Sequence, residues 1–134
     1  MPKKVIWEML GVWIILSMLF GCSIFPTDTE YSYYPMRPYS VLDIESGERR
    51  TPIVFRLSSS LNTPCNEFSH SDIVQNYHDI LVRFFQREEK DIHCTQVGVD
   101  TVITWGYIPL SAGQYRFHFW QSDSTSLDTT VLIR

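Results

Sequence analysis

Four histidines are the residues best suited to metal binding or acid–base chemistry in this chain of 134 residues, and they are His70, His78, His93 and His118. None of them belongs to an HxH or HExxH pattern, the close spacing at which histidines commonly bind a metal. His70 and Asp72 are two positions apart and would share one face of a strand, which makes only a weak metal-binding pair. We interpret the histidines as scattered surface residues, and we predict no metal site and no cofactor.

Serines and carboxylates offer no catalytic arrangement either. The run Ser58-Ser59-Ser60 lacks the GxSxG pattern that exposes the nucleophile of many hydrolases. Glu88 and Glu89 adjoin Lys90 and Asp91, and such a charge run is typical of a solvated turn. The sequence contains no glycine-rich loop that could bind phosphate. We therefore predict no catalytic residues and a protein that is not an enzyme.

Two strand-like segments carry side chains that could form a binding site. If the alternating residues Tyr115, Phe117 and Phe119 face the core, the residues between them face outward. The same alternation exposes one face of the segment 77–88. Arginine and tryptophan are enriched at interface hot spots, so we predict a binding patch formed by Arg83, Phe85, Arg116, His118 and Trp120. In the alternative interpretation, Trp120 and Phe85 cover a sheet end or pack beneath the N-terminal segment.

The beginning of the chain has the pattern of a secretory signal. Lys3 and Lys4 precede a twelve-residue apolar run at 9–20, which as a helix would rise only about 18 Å against a bilayer core of roughly 30 Å. The run closes in Leu19-Phe20-Gly21-Cys22, which resembles the lipobox of bacterial lipoproteins. The resemblance implies a signal peptide at 1–21 and a Cys22 that carries a diacylglyceryl thioether and an acylated amino group, with fatty acids such as palmitate. Several acyl chains make membrane anchoring stable.

Ser23 follows the cysteine, where inner-membrane lipoproteins of didermal bacteria carry aspartate. The resemblance therefore implies a lipid-anchored protein of the bacterial cell envelope, sorted to the outer membrane. The alternative is an uncleaved anchor that begins at Val5. That anchor would be only 16 residues long and would bury Glu8 near a helix end.

Setting Cys22 aside leaves Cys65 and Cys94, which are 29 positions apart. A secreted chain passes through an oxidising compartment, so we predict a disulfide between them, worth roughly 3–4 kcal/mol on the chain-entropy model. A metal pair or a reactive thiol is the alternative, but the two cysteines lack the close CxxC spacing of such sites.

The charge of the mature chain argues against nucleic acid as a partner. Cleavage before Cys22 would leave 113 residues, enough for one domain, with nine Lys and Arg against fourteen Asp and Glu. Lys90 is the only lysine among them. A chain without a basic stripe has no electrostatic basis for binding a phosphate backbone.

We predict that residues 22–39 comprise the lipidated cysteine and a tether, because Pro26, Pro35 and Pro38 oppose both helix and central strand. Its tyrosines either pack on the rim of the domain, as we expect for Tyr34 and Tyr39, or form a partner-binding strip. From residue 40 the pattern is that of short strands, with turn signals such as Ser46-Gly47 between them. Strand segments are predicted at 41–45, 52–58, 77–88, 97–108, 115–120 and 127–133. Only 71–77 offers a weak helical alternative.

Six or seven short strands predict an all-β protein, an antiparallel sandwich at 40–134. Leu110-Ser111-Ala112-Gly113-Gln114-Tyr115-Arg116-Phe117 resembles the tyrosine corner of immunoglobulin-like domains. This resemblance implies an immunoglobulin-like topology, although Phe117 stands where antibody domains carry a cysteine. A transthyretin-like sandwich is the nearest alternative.

These features together predict a lipid-anchored, non-enzymatic binding or assembly accessory module of the bacterial envelope. Its expected partners are the membrane, through the lipid, and another envelope protein or a glycan. A metal-dependent or carbohydrate-active envelope enzyme is one alternative, and an inhibitor or immunity lipoprotein is a second.

Overall fold

The computed structural model describes residues 28–45 and 48–134, which form eight strands and no helix. Neither range therefore holds a helix long and apolar enough to cross a membrane. The predicted signal peptide, Cys22 and the Ser46-Gly47 turn lie outside the described residues. The strands are β1 (Tyr31–Met36), β2 (Ser40–Glu45), β3 (Ile53–Leu61), β4 (Glu67–Asn76), β5 (Asp79–Glu89), β6 (Val99–Tyr107), β7 (Gly113–Trp120) and β8 (Ser126–Ile133).

The strands form two sheets that pack face to face, which confirms the predicted all-β sandwich. The small sheet has the order β2-β3-β6, and the large sheet contains the other five strands. Within the large sheet β4 pairs along β5, while β7 pairs with the first part of β5 and β1 with the last part. Every pairing is antiparallel except that of β5 with β7, which is parallel. Among the described residues, the β5–β7 pair is thus the one parallel contact in a sandwich that is otherwise antiparallel.

Side chains that alternate along the strands fill the space between the sheets. The predicted inward set of β7, namely Tyr115, Phe117 and Phe119, is buried, and so are the alternate apolar residues of β3 and β5. Phe55 of the small sheet lies with its ring centroid 4.7 Å from that of Phe117. Because a buried aromatic ring removes a large apolar area from water, these ring contacts across the two sheets stabilise the sandwich.

One polar side chain of the core, Gln86 on β5, is buried and organises the turn after β3. Its Oε1 accepts hydrogen bonds from the Asn62 backbone N–H and from Asn66 Nδ2, both at 2.8 Å. Thr63 Oγ1 donates to Asn66 Oδ1 at 2.7 Å. A buried amide without partners would be costly, and these bonds hold the turn that presents Cys65.

Cys65 forms a disulfide with Cys94, which confirms the predicted pairing, and their Cα atoms are 6.1 Å apart. The bond joins the β3–β4 connection to the irregular segment between β5 and β6. It therefore links two loops that lie beyond the paired strand ends Leu61–Val99 and Glu67–Arg87.

Two strands occupy segments for which the sequence predicted something else. Tyr31–Met36 was assigned to the tether but pairs with β5 as β1, with Met36 buried, so the tether prediction is wrong for this segment. Pro35 is tolerated because β1 is hydrogen-bonded to a neighbour on one side only among the described residues. The weak helical alternative at 71–77 is also wrong, since these residues continue β4 into its turn. The strand is mostly exposed, which is why its sequence shows little apolar alternation.

The tyrosine-corner contact is present in the structure. Tyr115 donates its hydroxyl hydrogen bond to the backbone carbonyl of Ser111 at 3.0 Å, across the turn that opens β7. The parallel β5–β7 pair nevertheless differs from immunoglobulin sheets, whose neighbouring strands are antiparallel. The immunoglobulin-like topology stays a prediction.

Gly113, at the start of β7, occupies a position that only glycine fits well. Its φ is +138°, and an added Cβ would lie 2.6 Å from Cε1 of His78. Both the positive φ and the closeness of His78 disfavour a side chain at this position. Gly113→Ala should therefore lower the free energy of unfolding by about 1–3 kcal/mol, measured by urea denaturation. Gly106→Ala is the matched control, since its Cβ would meet only an ordinary contact at 3.8 Å. Equal stability of the two variants would contradict the assigned geometry.

Candidate functional site

The five residues of the predicted binding patch lie on one surface, the outer face of the large sheet. Arg83 and Phe85 project from β5, and Arg116, His118 and Trp120 project from β7. The parallel register places Leu81 beside His118 and Asp79 beside Arg116. Sequence reasoning placed these residues on the outward faces of two separate strands, and the direct pairing of those strands brings them together.

Arg83 and Trp120 form the centre of this face. The Arg83 guanidinium carbon lies 4.9 Å from the Trp120 ring centroid, a cation–π contact of the kind worth about 0.5–1 kcal/mol at exposed sites. Trp120 is half-buried, and its indole N–H has no acceptor among the described residues. A cavity of about 350 Å³ adjoins the pair and is bordered by the hydroxyl-rich turn at 122–126. The site thus presents a cation and an aromatic ring beside open space, whereas the indole N–H itself is buried.

Arg116 and His118 are tied into a charge network. Arg116 Nη2 is 2.7 Å from Asp79 Oδ2, and His118 Nδ1 is 2.8 Å from Asp128 Oδ1. Hydrogen bonds from the Ser126 hydroxyl and from His118 lower the pKa of Asp128 below its usual range. The carboxylate therefore stays ionised down to lower pH than a free aspartate, and these two patch residues are positioned by acidic neighbours.

Phe85 is joined by residues that the sequence prediction missed. The His70 ring of β4 stacks on Phe85 with centroids 4.8 Å apart, and Tyr33 of β1 meets His70 edge-on at 5.7 Å. Arg87 lies over the Tyr31 ring at 4.4 Å and pairs with a neighbouring carboxylate of β4. Tyr31 and Tyr33 are two residues apart, a spacing that places both side chains on one face of a strand. This spacing could have indicated their contribution, but both residues were placed in the tether.

We call the combined surface the arginine–aromatic face; it consists of Tyr31, Tyr33, His70, Arg83, Phe85, Arg87, Arg116, His118 and Trp120. Arg87 and Arg116 each form a salt bridge, at 2.6 and 2.7 Å, whereas Arg83 forms none among the described residues. Arg83 is accordingly the arginine of this face whose guanidinium is available to an acceptor on a partner.

The histidines do not form a common centre. His70 and His118 lie on the outer face, His78 lies in the β4–β5 turn, and His93 lies in the exposed segment before Cys94. Within residues 28–45 and 48–134, no three or more His, Cys, Asp or Glu side chains are grouped so that they could hold a metal ion.

Comparison with protein families, with curated proteins and with solved structures finds no match to this chain.

Proposed function

We propose that this protein is a lipid-anchored module of the bacterial cell envelope, held at the outer membrane through Cys22, that binds another envelope component without catalysing a reaction. The observation that carries the proposal is the arginine–aromatic face, which gathers side chains from β1, β4, β5 and β7 on one surface. The lipobox-like Leu19-Phe20-Gly21-Cys22 supports the anchor.

The chemistry of the face favours an envelope protein as the occupant. Tryptophan, tyrosine and arginine are the residue types that dominate interface hot spots. Arg83 has no carboxylate partner among the described residues, and the Trp120 N–H has no acceptor there. A partner that offers a carboxylate at this point would pair with the Arg83 guanidinium beside the Trp120 ring, and a hydrogen bond to a charged group is worth about 1.5–3 kcal/mol.

Truncation of the central pair tests this face. Trp120→Ala and Arg83→Gln should each reduce the amount of partner cross-linked in intact envelopes by roughly tenfold or more, the effect of losing a hot-spot residue. Arg83→Gln should lower the thermal unfolding temperature by only a few degrees, because it removes a cation–π contact worth about 0.5–1 kcal/mol and no core packing. Val102→Ala, on the outer side of the small sheet and 48 % exposed, is the control. If Arg83→Gln keeps full cross-linking and Trp120→Ala only lowers stability, the pair serves packing and the proposal is wrong.

A further inference from the structure

A second cavity, of about 400 Å³, opens at the end of the sandwich where β4 turns into β5. We call it the tip cavity. Its volume falls in the range of about 300–1,000 Å³ that is usual for small-ligand sites. The lining includes Gln75, Tyr77, His78, Tyr107, Ser111 and Tyr115. The cavity lies apart from the arginine–aromatic face and shares no lining residue with it.

Tyr77 is the unexpected residue of this cavity. It is the first residue of a two-residue hairpin turn between the paired Asn76 and Asp79, and its φ is 56°. Two-residue hairpins usually place glycine, asparagine or aspartate at such a position, because a larger side chain at positive φ is strained. The Tyr77 side chain is nevertheless 81 % exposed and therefore contributes little to the core. A strained and exposed aromatic residue is better explained by an interaction outside the domain than by folding.

The surroundings of Tyr77 combine uncharged polar groups with two exposed apolar side chains, Ile108 and Leu110. Gln75 Nε2 donates to the Tyr77 carbonyl at 2.9 Å, and the His78 ring stacks on Tyr77 with centroids 4.1 Å apart. His78 Nε2 is 3.1 Å from Ser111 Oγ. Burial, together with the neighbouring Tyr115, raises the pKa of Tyr107, so this phenol remains a neutral donor at physiological pH. The residues that line the cavity include no carboxylate, lysine or arginine.

We propose that the tip cavity binds an uncharged pyranose ring of a glycan. The ring's C–H face packs on Tyr77, and its hydroxyl groups form hydrogen bonds with Gln75 and Tyr107. An apolar peptide side chain would also pack on the rings, but it would leave unused the remaining hydrogen-bonding capacity of Gln75, Tyr107 and Ser111. A charged ligand would find no opposite charge in the lining. A neutral sugar ring can both pack its C–H face on the aromatic side chain and form hydrogen bonds with the polar groups.

The place of the cavity in the fold agrees with such a ligand. The chain enters the sheet at Tyr31, which pairs with Glu89 at one end of β5, whereas the cavity adjoins Asp79 at the other end. β5 has 11 residues, a span of roughly 35 Å. If the anchor at Cys22 is as proposed above, the cavity points away from the lipid surface. Only this point about orientation rests on the proposed function.

Titration of the full-length protein with two neutral trisaccharides, tri-N-acetylchitotriose and maltotriose, tests the proposal. The protein is held in a detergent without a sugar headgroup, and binding is followed by NMR shifts of the residues at the cavity. At least one sugar should bind at millimolar concentration or better. Tyr77→Gly should weaken binding by about tenfold, consistent with loss of one aromatic contact, with an unfolding temperature that is unchanged or higher. Tyr77→Phe, which keeps the ring, and Tyr39→Ala, an exposed tyrosine elsewhere, are the controls.

Three results would overturn the proposal. The first is that neither trisaccharide shifts these resonances at millimolar concentration. The second is that a short tryptophan-containing peptide shifts them and the sugars do not. The third is that Tyr77→Gly binds sugar as tightly as the wild type. Because the titration does not depend on lipidation or on the arginine–aromatic face, a negative result would leave the proposed function to its own tests.

Discussion

Replacing Cys65 and Cys94 together with serine is expected to lower the free energy of unfolding by about 3–4 kcal/mol, the entropy of a closed loop of this length. The disulfide closes a sequence separation of 29 and joins the β3–β4 loop to the long loop between β5 and β6. On one side the turn is already held by Gln86, Asn62 and Asn66. On the other side, hydrogen bonds around Cys94 run within the segment itself, as in Gln96 Nε2 to the Cys94 carbonyl. The disulfide is therefore the covalent restraint on the middle of a loop whose two ends are fixed by β5 and β6.

Two measurements check this expectation. Urea denaturation of the double variant should show a lower midpoint, and wild type under strong reductant should match it. Amide hydrogen exchange should increase first at residues 91–98. The order of protection among the buried strands β3, β5 and β7 should stay the same. A double variant as stable as the oxidised wild type would show that the two loops are held by other contacts.

The second large effect is expected at Cys22. Cys22→Ala should move the protein from the membrane fraction to the soluble fraction and abolish incorporation of labelled fatty acid, because only several acyl chains hold a protein stably on a bilayer. The folded domain should be unaffected, since its first strand begins at Tyr31. Fractionation of cells that express each variant, with acyl labelling, measures both effects.

Ser23→Ala is the matched control for this variant, because it leaves Leu19-Phe20-Gly21-Cys22 intact. It should be labelled and retained like the wild type. If Cys22→Ala stays in the membrane fraction, the apolar run acts as an uncleaved anchor and the lipoprotein interpretation is wrong.

The strands that the sequence predicted well are those with one buried face. In β7, apolar residues alternate with polar ones, and the alternation itself defines which side chains enter the core. Thus the period of two residues is enough to assign Tyr115, Phe117 and Phe119 to the interior. The strands that were missed lack this signal: β4 is mostly exposed, and β1 contains Pro35.

The arrangement of the site depends on pairings between distant parts of the chain. Local alternation could place Arg83 and Trp120 outward, but it could not show that β5 and β7 are parallel neighbours, which brings the two side chains into contact. Likewise, nothing local to His70 shows that it stacks on Phe85.

The mass of the N-terminal peptide is the measurement that tests most directly whether a folded binding domain is held at the membrane by Cys22. The protein should be extracted from the membranes of a didermal bacterial host, digested and analysed by mass spectrometry. We expect a chain that begins at Cys22, with residues 1–21 removed and with the added mass of a diacylglyceryl group and an amide-linked fatty acid. A membrane-extracted chain that still begins at Met1, or that carries an unmodified Cys22, would contradict the account.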